Sequence, residues 1–206
     1  MKNKNDMNIM LKEAGILFAI TLIAGLLLGV VNELTREPIR IQQEKAIQEA
    51  CSAVFASASS FEEEEYTPDP ALAGELSAMG VKVGTVYRAL GNDGALLGYV
   101  VESTSNQGYG GNIVLYVGVT LDGTLNDISI LEISETPGLG MQAPEVLVPQ
   151  FHNKKVDAFV YTKSGAAADN EIDAITSATI TTKAVTDAVN GGLKVVHNLL
   201  EGGAGR

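Results

Sequence analysis

Residues 112–133 read NIVLYVGVTLDGTLNDISILEI. Two β-branched runs, Asn112–Thr120 and Asn126–Ile133, flank Asp122-Gly123, a dipeptide suited to the positive φ angles of a tight hairpin. An antiparallel pair is the expectation. Upstream the pattern repeats, with the strand-length runs Val81–Leu90 and Leu96–Ser103 separated by Gly91-Asn92-Asp93-Gly94. Downstream the period changes. Ala143–Phe151 suits a short helix, and Thr181–Leu200 a longer one. In the latter, Ala184, Val185, Ala188, Val189, Leu193, Val196 and Leu200 recur mostly three or four apart, one apolar face for a sheet, despite Gly191-Gly192 in its middle. Gly202–Arg206 reads as a frayed tail. Strands followed by helices give an α+β domain, an antiparallel sheet with helices packed on it.

Toward the N-terminus the chain changes character. The stretch Ala14–Asn32 is uncharged, and as a helix it extends roughly 28 Å, close to the ~30 Å hydrocarbon core of a bilayer. One transmembrane pass is expected. The residues after Val31 offer no small-residue cleavage site, which favours an uncleaved anchor over a signal peptide. Gly25 and Gly29 are spaced for close helix contact, or are ordinary membrane-helix glycines. Lys2, Lys4 and Lys12 precede the segment while Arg36, Arg40 and Lys45 follow it, a tie; the N-terminus is read as inside. From Glu33 to Ala56 apolar residues at helical spacing suggest a stalk, with a kink or fresh helix start at Pro38. Ser57–Ala71 reads as an exposed loop, and its run Glu62–Glu65 as solvated surface rather than a calcium site. The expected division is an N-terminal segment with its transmembrane helix (1–32), a helical stalk and acidic linker (33–71), and one α+β domain (72–206).

Charge and composition exclude several functions. Residues 1–40 carry five Lys/Arg and four Asp/Glu, a net of +1, and residues 41–206 nine and twenty-one, a net of −12, so the chain's net charge of −11 comes entirely from the second part. Such a domain repels phosphodiester backbones, and nucleic-acid binding is not expected. With one cysteine, Cys51, two histidines and no tryptophan, neither a disulfide scaffold nor a Cys/His zinc cluster can form, and no metal site is expected. Phosphate, if handled, must be met by backbone N–H groups.

Three constellations could carry chemistry. In Asp173-Ala-Ile-Thr-Ser-Ala-Thr179 and the following residues, Thr176, Ser177, Thr179, Thr181 and Thr182 crowd a helix start. They read either as a well-capped helix or, since free N–H groups and the helix dipole attract anions, as a phosphate seat with Lys183 as one cation. In Glu135-Thr-Pro-Gly-Leu-Gly140, Gly138 and Gly140 permit positive φ and close backbone approach to a planar ligand, with Thr136 alongside and Leu139 as apolar contact; an ordinary turn fits equally. Gly108-Tyr109-Gly110-Gly111 is either a β-bulge or a loop pressed on a ligand.

In this order the three motifs resemble those of the membrane-anchored flavoproteins of ion-pumping respiratory complexes: the G subunit of the Rnf electron transport complex, in the FMN-binding domain family, and the C subunit of the sodium-translocating NADH:quinone reductase. The resemblance runs from the anchor to the last helix. It implies an electron carrier within an ion-translocating ferredoxin:NAD oxidoreductase (Rnf) complex, an electron-carrying component rather than an enzyme alone. FMN would be bound covalently, after a flavin transferase recognises Asp-x-x-(Ser/Thr)-Gly-Ala-Thr and esterifies the final threonine with the FMN phosphate. Carried over, Asp173, Thr176 and Ala178 match the motif, Thr179 is the acceptor, and Ser177 stands where Gly is usual. Glu135, Thr136, Gly138, Leu139 and Gly140 would lie against the isoalloxazine, with Tyr109, Gly110 and Gly111 nearby. The implied partners are the other subunits of the complex, the transferase and membrane lipid. The implied location is the cell (inner) membrane, single-pass, with the soluble domain on the extracytoplasmic side. Length favours the Rnf G subunit. The quinone reductase's C subunit and a non-redox membrane-anchored structural protein, its Thr-rich helix start only a cap, are the alternatives.

Overall fold

The computed structural model describes residues 2–203. The chain divides between Lys45 and Ala46 into two compact units. The first is most of helix α1 (Lys2–Val54), which runs unbroken through Pro38, so no fresh start occurs there. Its apolar residues, Leu22, Leu26, Leu27 and Leu28 among them, are exposed. A helix apolar all round is stable only in an apolar medium, and α1 alone among the described residues is long and apolar enough to cross a membrane. Its hydroxyls are answered locally: Thr21 Oγ1 donates to Leu17 O at 3.1 Å and Phe18 O at 3.0 Å, and Thr35 Oγ1 to Val31 O at 2.9 Å. Beyond the apolar stretch, Arg40 bridges Glu37 at 2.6 Å and Glu44 at 2.5 Å, one helical turn to either side.

The second unit is built on a five-stranded antiparallel sheet in sequential order: β1 (Ser60–Glu64), β2 (Val81–Leu90), β3 (Leu96–Ser105), β4 (Ile113–Thr120) and β5 (Leu125–Glu132). Helix α2 (Pro70–Ala78) follows β1. After β5 come a 3-10 turn (Gly140–Gln142), α3 (Ala143–Val146), α4 (Val148–Phe151), the short parallel pair β6 (Val160–Thr162) and β7 (Glu171–Asp173), and α5 (Thr179–Gly203). The α+β expectation holds. The acidic run expected in an exposed loop is instead largely strand β1, because Glu62 and Glu64 flank Arg88 on β2 at 2.5 and 3.5 Å. Helix α2 was also missed, although Asp69 caps it, accepting from Ala71 N and Leu72 N at 2.9 Å, with Pro70 at its first position. The single helix expected over Ala143–Phe151 is two, and α5 continues through Gly203 where a tail was expected; residues 204–206 lie outside the described residues.

Alternation in the strands separates two cores. On one side Ile113, Leu115, Val117 and Val119 of β4 meet the α5 face Ala184, Val185, Ala188, Val189, Leu193 and Val196. On the other, Tyr116 joins Tyr87, Ala89 and Val100 against the last turns of α1, where Ala50, Cys51, Val54 and then Phe55 are buried. Two close approaches require glycine. A Cβ on Gly192 would lie 2.7 Å from Val117, and one on Gly118 would lie 2.9 Å from Val54. The glycines inside α5 therefore let the helix sit close on the sheet. Asn190, buried in α5, clamps one backbone unit by accepting from Phe159 N at 2.7 Å and donating to Phe159 O at 2.9 Å. These contacts fix α5, and with it the turn before Thr179, against the sheet.

Candidate functional site

The three motifs, up to 71 positions apart between Gly108 and Thr179, converge on one cavity of about 520 Å³. Its walls are Tyr109 from the β3–β4 loop, Glu135, Thr136, Leu139 and Gly140 from the loop after β5, and Ser177–Thr181 at the start of α5. The volume is typical of a small-molecule site, about 300–1,000 Å³. No Lys or Arg lines it.

The start of α5 is left open rather than capped. Its first backbone bond to a preceding carbonyl runs from Thr182 N to Ala178 O at 3.0 Å, so the N–H groups of Thr179, Ile180 and Thr181 have no partner within the helix. The crowded hydroxyls do not take them up. Thr182 Oγ1 accepts from Ile175 N at 3.1 Å and donates to Ala178 O at 3.0 Å, which braces the turn from within. Thr181 and Thr182 are buried, at 2% and 0% exposure, whereas Thr179 is half-buried on the cavity wall. Ser177 has a φ of 62°, in the left-handed region, where a Cβ costs about 1–2 kcal/mol. The turn therefore asks for the backbone freedom that glycine has, at the position where the resembled motif usually has glycine.

The other two walls touch each other. Glu135, buried at 7% exposure, accepts from Gly110 N through Oε1 at 3.3 Å. A Cβ on Gly110 would run into Ser134 O, and one on Gly140 would lie 2.5 Å from Thr181 Oγ1 and 2.7 Å from Glu135 Cβ. These two glycines permit close packing of the protein on itself, where the sequence suggested backbone packed against a ligand. Gly138 has a φ of 75° with open space around it, a turn glycine, and Gly111 has a φ of 133°.

Several expected site residues stand outside the cavity lining. Lys183 is bonded to Asp187, one turn further along α5, and to Gln107 Oε1 at 3.3 Å; its ammonium is turned to a neighbouring carboxylate. Asp173 ends β7, where its Oδ1 accepts from Ala166 N at 2.6 Å and its N–H donates to Gln150 Oε1 at 2.7 Å. Thr176 is exposed, and neither it nor Gly110, Gly111 or Gly138 lines the cavity. Ile180, not anticipated, presents an apolar side chain at the rim, 54% exposed. Its place between Thr179 and Thr181, at the Thr-rich helix start, was the signal the sequence offered for it.

A family model described as the FMN-binding domain matches residues 108–194, and one described as the RnfG N-terminal region matches residues 1–54. The G subunit of the Na(+)-translocating ferredoxin:NAD(+) oxidoreductase complex of Acetobacterium woodii is 32% identical over 197 residues, covering 94% of this chain and 95% of that one. The chain belongs to the RnfG family, the G subunits of ion-translocating oxidoreductase complexes. The G subunit of the ion-translocating oxidoreductase complex of Methanosarcina acetivorans is 30% identical over 178 residues, covering 86% of this chain and 89% of its own length. The crystal structure of NqrC from Shewanella oneidensis is similar over 72% of this chain and 74% of that one, with a TM-score of 0.48 at 22% identity. In this member of the RnfG family the FMN-binding match begins at Gly108, in the β3–β4 loop just before Tyr109, and spans all three cavity walls.

Proposed function

We propose that this chain is the membrane-anchored flavoprotein of an ion-translocating ferredoxin:NAD oxidoreductase complex of the Rnf type. It carries FMN as a phosphoester on Thr179 and relays electrons among the other subunits, with its domain on the extracytoplasmic face. The observation that carries the reading is the convergence of three distant motifs on one cavity whose wall includes a half-buried threonine at an uncapped helix start.

The residues present fit the group. A phosphate esterified to Thr179 would meet the unpaired N–H groups of Thr179, Ile180 and Thr181 at the positive end of the α5 dipole, which is why no Lys or Arg is needed in the wall. Leu139, Ile180 and Tyr109 offer apolar surface to a planar ring. When bound, FMN supplies the electron-carrying chemistry. The chain's own residues bind, orient and shield, and none is required as acid or base. Among the three threonines at this end, Thr181 is turned inward against Gly140 and Thr182 is spent on the turn, so Thr179 is the one a transferase can reach. The exposed Thr176 and Ser177 leave the recognition motif on the surface of the folded domain.

The test is expression of the full chain with a flavin transferase, denaturation, and in-gel flavin fluorescence. Wild type should fluoresce, and Thr179→Val, which removes the hydroxyl and nearly keeps the shape, should fold and not fluoresce. A flavin peptide mapped to Thr181 or Thr182, or a non-fluorescent wild type with active transferase, would overturn the assignment.

A further inference from the structure

The loop bearing Tyr109 is pinned on either side of that residue. On one side Gln107 Oε1 accepts from Lys183 Nζ at 3.3 Å, tying the loop to α5; on the other Gly110 N donates to Glu135 Oε1 at 3.3 Å, tying it to the loop after β5. Between the pins Tyr109 stands at the cavity rim, 72% exposed. Burying a carboxylate is costly unless it is hydrogen-bonded, yet Glu135 has no Lys, Arg or His partner among the described residues. The loop is closely fitted to it as well. A Cβ on Gly108 would lie 2.8 Å from Glu135 Oε1, and one on Gly110 would strike Ser134 O.

We propose that Glu135 is a positioning residue that acts through the Gly108–Gly111 strap: its carboxylate holds the strap beside the cavity so that Tyr109, the strap residue that lines it, covers the bound flavin ring. Lys183 is the second pin of the same strap and not the cation of a phosphate seat. The covering role rests on the FMN reading above; the brace itself does not. The strap sets how much of the ring solvent reaches, and does so with a side chain that need not touch the ring.

Two measurements on the full-length chain in detergent test it. In the unloaded Thr179→Val background, hydrogen exchange at residues 108–111 should quicken roughly tenfold in Glu135→Ala, the expected loss of a hydrogen bond to a charged group. Glu135→Gln, which keeps an acceptor oxygen, should restore slow exchange. In loaded protein, Glu135→Ala should raise iodide quenching of the flavin and shift its visible spectrum, again with rescue by Gln. Lys183→Met, on the surface, should loosen the strap more mildly. Should Glu135→Ala fail to fold, Glu135→Asp keeps the charge without the reach and should behave as the loosened form. Unchanged exchange in the folded Ala or Asp variant overturns the brace. Faster exchange with unchanged quenching and spectrum overturns the covering role. If FMN proves to be attached elsewhere, the exchange comparison still decides the brace, because the strap peptides report on it without flavin.

Discussion

Ser177 is where local backbone energetics meet the proposed FMN attachment. A side chain at φ 62° costs about 1–2 kcal/mol, whereas glycine there costs roughly 0.5–1 kcal/mol in backbone entropy. Ser177→Gly should therefore stabilise the domain by up to about 1.5 kcal/mol, seen as a higher urea midpoint. It should also raise the fraction of chains carrying FMN, since the proposed acceptor turn is then relaxed; equal midpoints and equal loading would mean that serine is unstrained at this φ. Two glycines in the neighbouring loop should separate. Gly138→Ala meets open space and only the conformational cost of about 1 kcal/mol, leaving a flavin spectrum unchanged. Gly140→Ala places its methyl 2.5 Å from Thr181 Oγ1, so it should cost about 1–3 kcal/mol by overpacking and displace the cavity wall with a spectral shift. Cys51 gives a pH test. Burial, with a smaller contribution from the nearby Glu102 charge, pushes its thiol from 9.0 up to about 12. The unfolded chain thus loses this proton first, and the contribution to stability is present below pH 9, then falls as pH rises toward 12. Cys51→Ala should lose less stability than wild type across that window, measured as the difference in urea midpoints.

At the scale of elements, α5 is decided by competition between helix propensity and packing. Replacing a mid-helix glycine with alanine ordinarily gains about 1 kcal/mol. At Gly191 and Gly192 the new methyl would lie 2.7 Å from Val81 and Val117 respectively, and overpacking of about 1–3 kcal/mol outweighs the gain. Both alanine variants should lower the denaturation midpoint, and because α5 carries the proposed acceptor Thr179 they should also lower flavin loading. A stabilised variant would mean that helix and sheet can move apart without cost. The parallel pair β6 and β7, three residues each, had no legible pattern, since its pairing comes from distant chain segments and not from a local period.

For the whole molecule, the sidedness of the domain is the property to measure. Cys51 cannot report it, being 1% exposed with its thiol held protonated by burial. Asn92 is exposed in the β2–β3 turn, so Asn92→Cys in a Cys51→Ala background is the suitable probe. An impermeant maleimide should label it in intact cells when the domain is outside; labelling only after lysis would place it inside. What sequence alone determined was whatever is written in local period and charge: the uncharged Ala14–Asn32 segment, four of the five strands to within two residues, the apolar face of α5, and the motifs in which the cavity residues lie. Chain order carries those features because burial on one face imposes a repeat of two or of about 3.6. The acidic β1 was misread because its partner, Arg88, is supplied by β2. Only the tertiary structure decided which threonine is reachable, that Glu135 closes on Gly110 and that Lys183 pairs with Asp187. Those outcomes depend on which segments the sheet and α5 bring within hydrogen-bond reach, and no local pattern in the chain encodes such distances.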